Sequence, residues 1–209
     1  MKILDLFRPS KIVCVGRNYP KHAAELGNEM PAEPLLFLKP PSAIVRDGQA
    51  IVRPPESSHV EHEAEIGVVI GRRCRSVPES RALEAVAGYC ALNDVTARDL
   101  QRRDNQWSRA KGFDTFCPLG AFQPADGVDW REMEVTCRVD GELRQRGHAR
   151  DMAFGIPFLV HYISRIMTLE PGDIIATGTP DGVGPLEAGA EVAVEVVGLS
   201  VVRNPVRDA

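Results

Sequence analysis

The chain has 209 residues, of which 44% are hydrophobic and 26% charged, with a net charge of -4; it is long enough to bury a sizeable core and to be an enzyme. With no basic surplus and no apolar run near the length of a membrane span, nucleic acid and membranes are excluded as expected partners. Sixteen prolines and eighteen glycines demand many turns, which suits a strand-rich fold better than a helical bundle.

Cys14, Cys74, Cys90, Cys117 and Cys137 are odd in number, widely spaced and without a C-x-x-C pair, so they read as reduced core thiols. Met1-Lys2-Ile3-Leu4-Asp5 lacks a signal-peptide pattern, which points to the cytoplasm.

In chain order, Lys11-Ile12-Val13-Cys14-Val15-Gly16 reads as a buried strand ending at Arg17-Asn18-Tyr19-Pro20. A short helix follows from about Lys21 to Leu26, closed by Gly27-Asn28. His22 and Glu25 share one face of it, so the carboxylate can orient the imidazole as a base, although a surface His beside a surface Glu has the same spacing. Leu35-Leu36-Phe37-Leu38-Lys39 is a strand stopped by Pro40-Pro41, with Lys39 either at an exposed end or aimed into a site. Ile51-Val52-Arg53 is a further strand end.

The stretch His59-Val60-Glu61-His62-Glu63-Ala64-Glu65 then runs into Ile66-Gly67-Val68-Val69-Ile70, the pattern of a strand entering the core. Residues two apart on a strand share a side, which sets Glu63 and Glu65 about 7 Å apart at the edge of a low-dielectric interior. A hard divalent cation, Mg2+ first, fits between them; a solvated strand edge is the plain alternative.

Pro78 to Ala87 has a helical pattern with Leu83, Val86 and Ala87 on one face. The apolar run Ala87 to Leu92 meets Asn93-Asp94, which makes Asp94 a candidate third ligand beside Glu63 and Glu65 or the N-cap of the segment Val95 to Trp107. That segment carries Arg98, Asp99, Gln101, Arg102, Arg103 and Asp104 and reads as a mixed-sign helix surface facing solvent. Lys111 opens the loop Lys111-Gly112-Phe113-Asp114 as a candidate anchor for an anionic substrate.

Glu134 to Val139, Asp140-Gly141 and Glu142 to Arg146 form a hairpin, because Asp-Gly suits a positive-φ turn. Ala153 to Met167 is a helix with Ile156, Leu159, Val160, Ile163 and Met167 inward and Pro157 in its first turn. Strand Ile174 to Thr177 ends in Gly178-Thr179-Pro180-Asp181-Gly182-Val183-Gly184, whose amides and hydroxyls suit an anion or simply a tight turn. The loop lacks the Gly-Lys-Ser/Thr of a P-loop, so ATP is not implied. Glu191 to Val197 and Leu199 to Val202 close the chain as a hairpin. With no repeat or linker, 1–209 reads as one catalytic domain with a short N-terminal segment, 1–10.

Gly16-Arg17-Asn18-Tyr19 with His22 and Glu25, Phe37-Leu38-Lys39-Pro40, His62-Glu63-Ala64-Glu65, Asn93 to Asp99, Lys111 to Asp114 and Thr177 to Gly184 together resemble the fumarylacetoacetate hydrolase family. The resemblance runs from about Lys11 to Pro205 and is to the short acylpyruvate hydrolase and oxaloacetate decarboxylase type. It implies an α+β, strand-dominated mixed β-roll with a few short helices, a homodimer, and Mg2+ or Mn2+ held by Glu63, Glu65 and Asp94. It also implies a lid carrying His22 and Glu25 that activates water. Gln101 and Lys111 are then catalytic residues of the pocket, and Arg17, Tyr19, Arg98 and Thr179 bind substrate. The extra N-terminal domain and fourth acidic ligand of some longer relatives are not expected.

A divalent ion chelated by the 2-oxo and carboxylate oxygens of a pyruvyl group favours the enolate that forms as the bond beyond C3 breaks. Water activated by His22 then cleaves an acylpyruvate such as acetylpyruvate or fumarylpyruvate. Loss of CO2 instead decarboxylates oxaloacetate, and a proton shuttle isomerises a 2-hydroxydienoate in aromatic-compound breakdown. Hydrolysis stands first, because water activation needs a base and both His22 and Glu25 are present. A non-catalytic metal-dependent binding protein is the alternative of a different class, against which the full set of acids, base and lysine weighs.

Overall fold

The computed structural model describes residues 9–209; of the expected N-terminal segment 1–10, all but Pro9 and Ser10 lies outside the described residues. In chain order the elements are β1 (Ile12–Gly16), α1 (Pro20–Glu25), β2 (Leu35–Lys39), β3 (Ile44–Arg46), β4 (Ile51–Arg53), β5 (Val60–His62) and β6 (Ala64–Ile70). There follow β7 (Val86–Asn93), β8 (Thr96–Ala97), α2 (Arg98–Arg103), α3 (Ser108–Gly112), β9 (Cys117–Leu119) and β10 (Gln123–Pro124). The chain continues with β11 (Glu134–Val139), β12 (Glu142–His148), α4 (Ile156–Ile166), β13 (Ile174–Ala176), β14 (Gly184–Pro185), β15 (Glu191–Val196) and β16 (Ser200–Asp208).

An eight-stranded sheet runs β2-β1-β13-β6-β7-β9-β3 with β10 on β7, beside sheets β12-β11-β15-β16-β4 and β14-β5-β8. Parallel pairs β1–β13, β3–β9 and β16–β4 among antiparallel neighbours make it the mixed, strand-dominated roll that the sequence suggests. Strands β1 and β6 are buried on both sides, and their alternation divides the interior. Val13, Val15, Ile66, Val68 and Ile70 enter the larger core, whereas Ile12, Cys14 and Val69 enter a smaller one. Helix α4 covers the larger core with Ile156, Leu159, Val160 and Ile163, each worth about 1.5–3 kcal/mol when fully buried. The β11–β12 turn has Asp140 at φ 52° and Gly141 at φ 82°, the left-handed pair that a two-residue hairpin needs.

Several elements differ from the sequence reading. The stretch Glu79–Ala85 is a 3-10 helix, which aligns residues three apart and buries Ala82 and Ala85 while Leu83 is 42% exposed. Val86 and Ala87 begin β7 instead. Asp94 caps no helix: α2 starts at Arg98, and its N-cap position is Ala97. Met167 is the extended C-cap of α4 rather than part of the helix, though it still packs against the larger core. All five cysteines are free and buried.

The fold brings strand ends together. Since β6 is antiparallel to β7 and β13, and β13 parallel to β1, the start of β6 meets the ends of β7, β13 and β1. At Glu63 the chain passes from the three-stranded sheet, where β5 pairs with β14 and β8, into the eight-stranded one.

Candidate active site

The sheet crossing leaves backbone groups that no neighbouring strand satisfies, and side chains take them. The Glu63 N–H donates to Asn93 Oδ1 (3.0 Å) and the Ala64 N–H to Gln145 Oε1 (3.0 Å). Glu63 and Glu65 keep the same parity on either side of Ala64, and the Asp94 N–H donates to the Glu63 carbonyl at 2.8 Å. One carboxylate oxygen from each of Glu63, Glu65 and Asp94 then lies within 4.8 Å of the others, and all three residues are buried. An all-oxygen set of three carboxylates suits a hard divalent ion such as Mg2+ or Mn2+.

Cations from elsewhere in the chain neutralise the acids. Lys111, 1% exposed, donates to Glu63 Oε2 at 2.8 Å and Asp94 Oδ2 at 2.7 Å. Lys39 is also buried and donates to Asp94 Oδ1 at 2.6 Å, which resolves its two sequence readings in favour of the inward one. Arg98 reaches Glu61 with Nε (2.7 Å) and Glu63 with Nη2 (2.6 Å), and its Nη1 donates to Gln101. The expectation of a solvent-facing helix therefore fails at Arg98: the first turn of α2 faces the acids, because β8 lies beside β5.

The electrostatics follow from burial and these partners. Burial opposes the Glu63 charge, yet Lys111 and Arg98 hold its pKa well below the usual carboxylate range. Among the described residues no cation is hydrogen-bonded to Glu65. Burial, then the charges of Asp94 and Glu63, hold its pKa well above the usual value, although it accepts the Gly178 N–H at 2.7 Å. For Lys111 burial works against the ammonium, but Asp94 and Glu63 raise its pKa nonetheless.

His22 sits on α1 over the acids, with its Nδ1 3.3 Å from Glu25 Oε2. Glu25 in turn accepts the Gly182 N–H at 3.0 and 3.2 Å. Glycine is required at 182: φ is +92°, and a Cβ there would lie 2.1 Å from the Arg144 carbonyl. The Gly-rich loop thus does present amides to anions, but they are the carboxylates of Glu65 and Glu25.

Arg17, His22, Glu63, Glu65, Asp94, Arg98, Gln101, Lys111 and Thr179 all line one cavity of about 60 Å³. Arg17 stands there in a left-handed conformation, φ 56°, which costs a non-glycine residue about 1–2 kcal/mol. Next to it Asn18 holds the turn by donating to the carbonyls of Thr177 (2.7 Å) and Phe154 (3.0 Å). Tyr19 is placed differently from the expectation. Among the described residues its buried hydroxyl has no hydrogen-bond partner, and Tyr19 lines a separate cavity with Pro20, Lys21, Arg146 and Asp181. Tyr19 itself packs into the larger core, whereas Arg17 and His22 line the site. Sequence reasoning missed Phe37 and Trp107, which form an edge-to-face pair (5.3 Å) in the cavity wall, as well as Glu61 and Gln145. The aromatic pair carries no polar signal, and the other two are decided by which strands become neighbours.

A strand-rich roll with a three-carboxylate cluster at its strand ends and a histidine helix above it has the equipment of an acid–base enzyme built around a divalent ion. Residues 11–207 match the family model for the fumarylacetoacetate (FAA) hydrolase C-terminal domain, and the chain belongs to that family of enzymes. It is 47% identical over 199 residues to the mitochondrial oxaloacetate tautomerase FAHD1 of Arabidopsis thaliana, covering 93% of this chain and 89% of that one. It is 46% identical over 195 residues to the mitochondrial oxaloacetate decarboxylase of Dictyostelium discoideum, covering 90% and 89%. Among solved structures, fumarylpyruvate hydrolase from Pseudomonas aeruginosa in complex with Mn2+ and pyruvate superposes with a TM-score of 0.92 at 34% identity, over 96% of this chain and 91% of that one. Among the described residues no helix is long and apolar enough to cross a membrane.

Proposed function

We propose that this chain is a divalent-metal-dependent enzyme that forms the enolate or enol of a short 2-oxo acid, with oxaloacetate as its first substrate and an acylpyruvate as its second. One observation carries the reading: the imidazole of His22, the three carboxylates and the cations Arg17, Arg98 and Lys111 line the same small cavity, which suits a short dianion. Glu63, Glu65 and Asp94 would hold Mg2+ or Mn2+, and a bound ion supplies Lewis-acid polarisation of the 2-oxo group.

The chain's own residues supply the rest. Glu25 occupies Nδ1 of His22, which leaves Nε2 to exchange a proton with substrate or water. In the tautomerase direction that proton moves between C3 and the C2 oxygen. In decarboxylation the C3–C4 bond breaks, its electron pair stays with C3, and CO2 leaves; no water is consumed. Arg17 and Gln101 bind the carboxylate ends, and Lys111 keeps Glu63 ionised while bridging it to Asp94.

Acylpyruvate hydrolysis stands first on sequence alone. The oxaloacetate reading moves ahead because relatives with oxaloacetate names are 46% and 47% identical, against 34% for the fumarylpyruvate hydrolase. Hydrolysis remains the second reading, favoured by the assembled His22–Glu25 pair. A homodimer belongs to the same proposal and is checked by light scattering after size exclusion. The deciding assay incubates Mg2+- or Mn2+-loaded protein with oxaloacetate, acetylpyruvate and fumarylpyruvate, following enol absorbance and pyruvate release. Metal-dependent turnover of oxaloacetate is expected. Turnover of the acylpyruvates alone would promote the second reading, and binding without turnover of any of the three would sink both.

A further inference from the structure

Gln145 comes from β12, in the five-stranded sheet, and its local sequence Arg144-Gln145-Arg146 resembles a surface strand, yet it is 1% exposed. All of its hydrogen-bonding groups are engaged at the sheet crossing. Oε1 accepts from the Ala64 N–H at 3.0 Å and from His62 Nδ1 at 2.9 Å. Nε2 donates to Thr179 Oγ1 and to the Pro180 carbonyl, both at 2.8 Å. The amide orientation is unambiguous, because one end faces a backbone donor and the other a backbone acceptor. It follows that the His62 proton sits on Nδ1.

Ala64 stands between Glu63 and Glu65, and Gln145 holds it on both sides. Its N–H goes to Gln145 directly, and its carbonyl accepts from the Thr179 hydroxyl at 2.9 Å, itself an acceptor of Gln145. The same loop delivers the Gly178 N–H to Glu65. Thr179 was expected to bind substrate, but its hydroxyl proton is already committed to Ala64.

We propose that Gln145 is a positioning residue for the carboxylates of Glu63 and Glu65, acting through Ala64 and the Thr179 hydroxyl. The inference rests on the reading that these carboxylates hold a divalent ion. Outer partners that orient ligands affect metal affinity about 10- to 100-fold.

The test is Mn2+ binding to metal-stripped protein without substrate, followed by the electron paramagnetic resonance signal of free Mn2+, alongside the unfolding midpoint of the metal-free protein. Gln145→Met, close to isosteric but without donors or acceptor, should raise the Mn2+ dissociation constant about 10- to 100-fold. Thr179→Val, which removes only the bridging hydroxyl, should shift it in the same direction. A folded Gln145→Met protein that binds Mn2+ as tightly as wild type, whatever its unfolding midpoint, reduces Gln145 to a structural residue and overturns the inference. Should Gln145→Met not fold, Thr179→Val decides by the same criterion. Wild-type protein that does not bind Mn2+ would sink the metal reading itself and this inference with it, whereas wild-type binding with unchanged variants sinks this inference alone.

Discussion

Replacing Lys111 by Met tests whether the carboxylate cluster depends on the chain's own cations. The Lys111 ammonium is the only group bridging two of the three acids among the described hydrogen bonds, at 2.8 Å from Glu63 and 2.7 Å from Asp94. Methionine keeps most of the packing against the Phe37 ring, over which Nζ stands at 5.0 Å, so the loss is mainly electrostatic. Two charge-assisted hydrogen bonds at about 1.5–3 kcal/mol each agree with the about 3–5 kcal/mol for stranding one partner of a buried pair. We expect about 4 kcal/mol less stability for metal-free protein by urea unfolding, which for a chain of this size is a fall in Tm of about 8–16 °C. Saturating Mn2+ should narrow the gap, since a divalent ion between the same carboxylates replaces the missing charge. A metal-free gap below about 1 kcal/mol, against the stranded-pair cost, would refute the reasoning.

His22→Ala should abolish proton transfer and any acylpyruvate hydrolysis while leaving Mn2+ affinity nearly unchanged; retained turnover removes the dyad from the mechanism. Asp173 ties the start of β1 to the turn before β13. It accepts from Ser10 Oγ (2.7 Å), the Ser10 N–H (2.9 Å), the Glu170 N–H (2.8 Å) and the Lys11 ammonium. Burial opposes its charge, but these bonds outweigh burial and hold its pKa below the usual aspartate value. A depressed folded pKa contributes stability that is present above the unfolded value, near pH 4, and lost as pH falls through the folded one. Asp173→Asn should therefore cost about 3 kcal/mol at pH 7, with the difference shrinking below about pH 4; a difference constant from pH 7 to pH 3 would contradict this. Burial pushes the thiols up, Cys90 and Cys137 to about 12. Native protein should accordingly leave all five cysteines unreacted with Ellman's reagent and expose five on denaturation.

Much of the fold was legible locally. Short apolar runs bounded by turn residues mark β1, β2 and β6, Asp140-Gly141 marks the β11–β12 hairpin, and the 3.6-residue stripe marks α4, because each signal lies within one element. The parity of Glu63 and Glu65 and the His22–Glu25 spacing are local in the same way. The 3-10 helix Glu79–Ala85 was missed because the residues that suggested an α-helical face, Leu83, Val86 and Ala87, straddle its end and the start of β7.

What the sequence by itself determined is therefore the inventory: a strand-rich chain with two acids in register, a third beyond a buried strand, and a histidine–glutamate pair on a short helix. Only the tertiary structure decided their partners. It turned Lys39 inward to Asp94, bent the Arg98 end of an apparently solvated helix onto Glu61 and Glu63, carried Gln145 to a histidine 83 residues earlier, and left Tyr19 out of the cavity lining. The physical reason is that a side chain's face is set by backbone periodicity, which neighbouring residues encode. The group it meets across a sheet crossing depends on which distant strands become neighbours, and there buried charge and unpaired backbone must find partners wherever the fold supplies them.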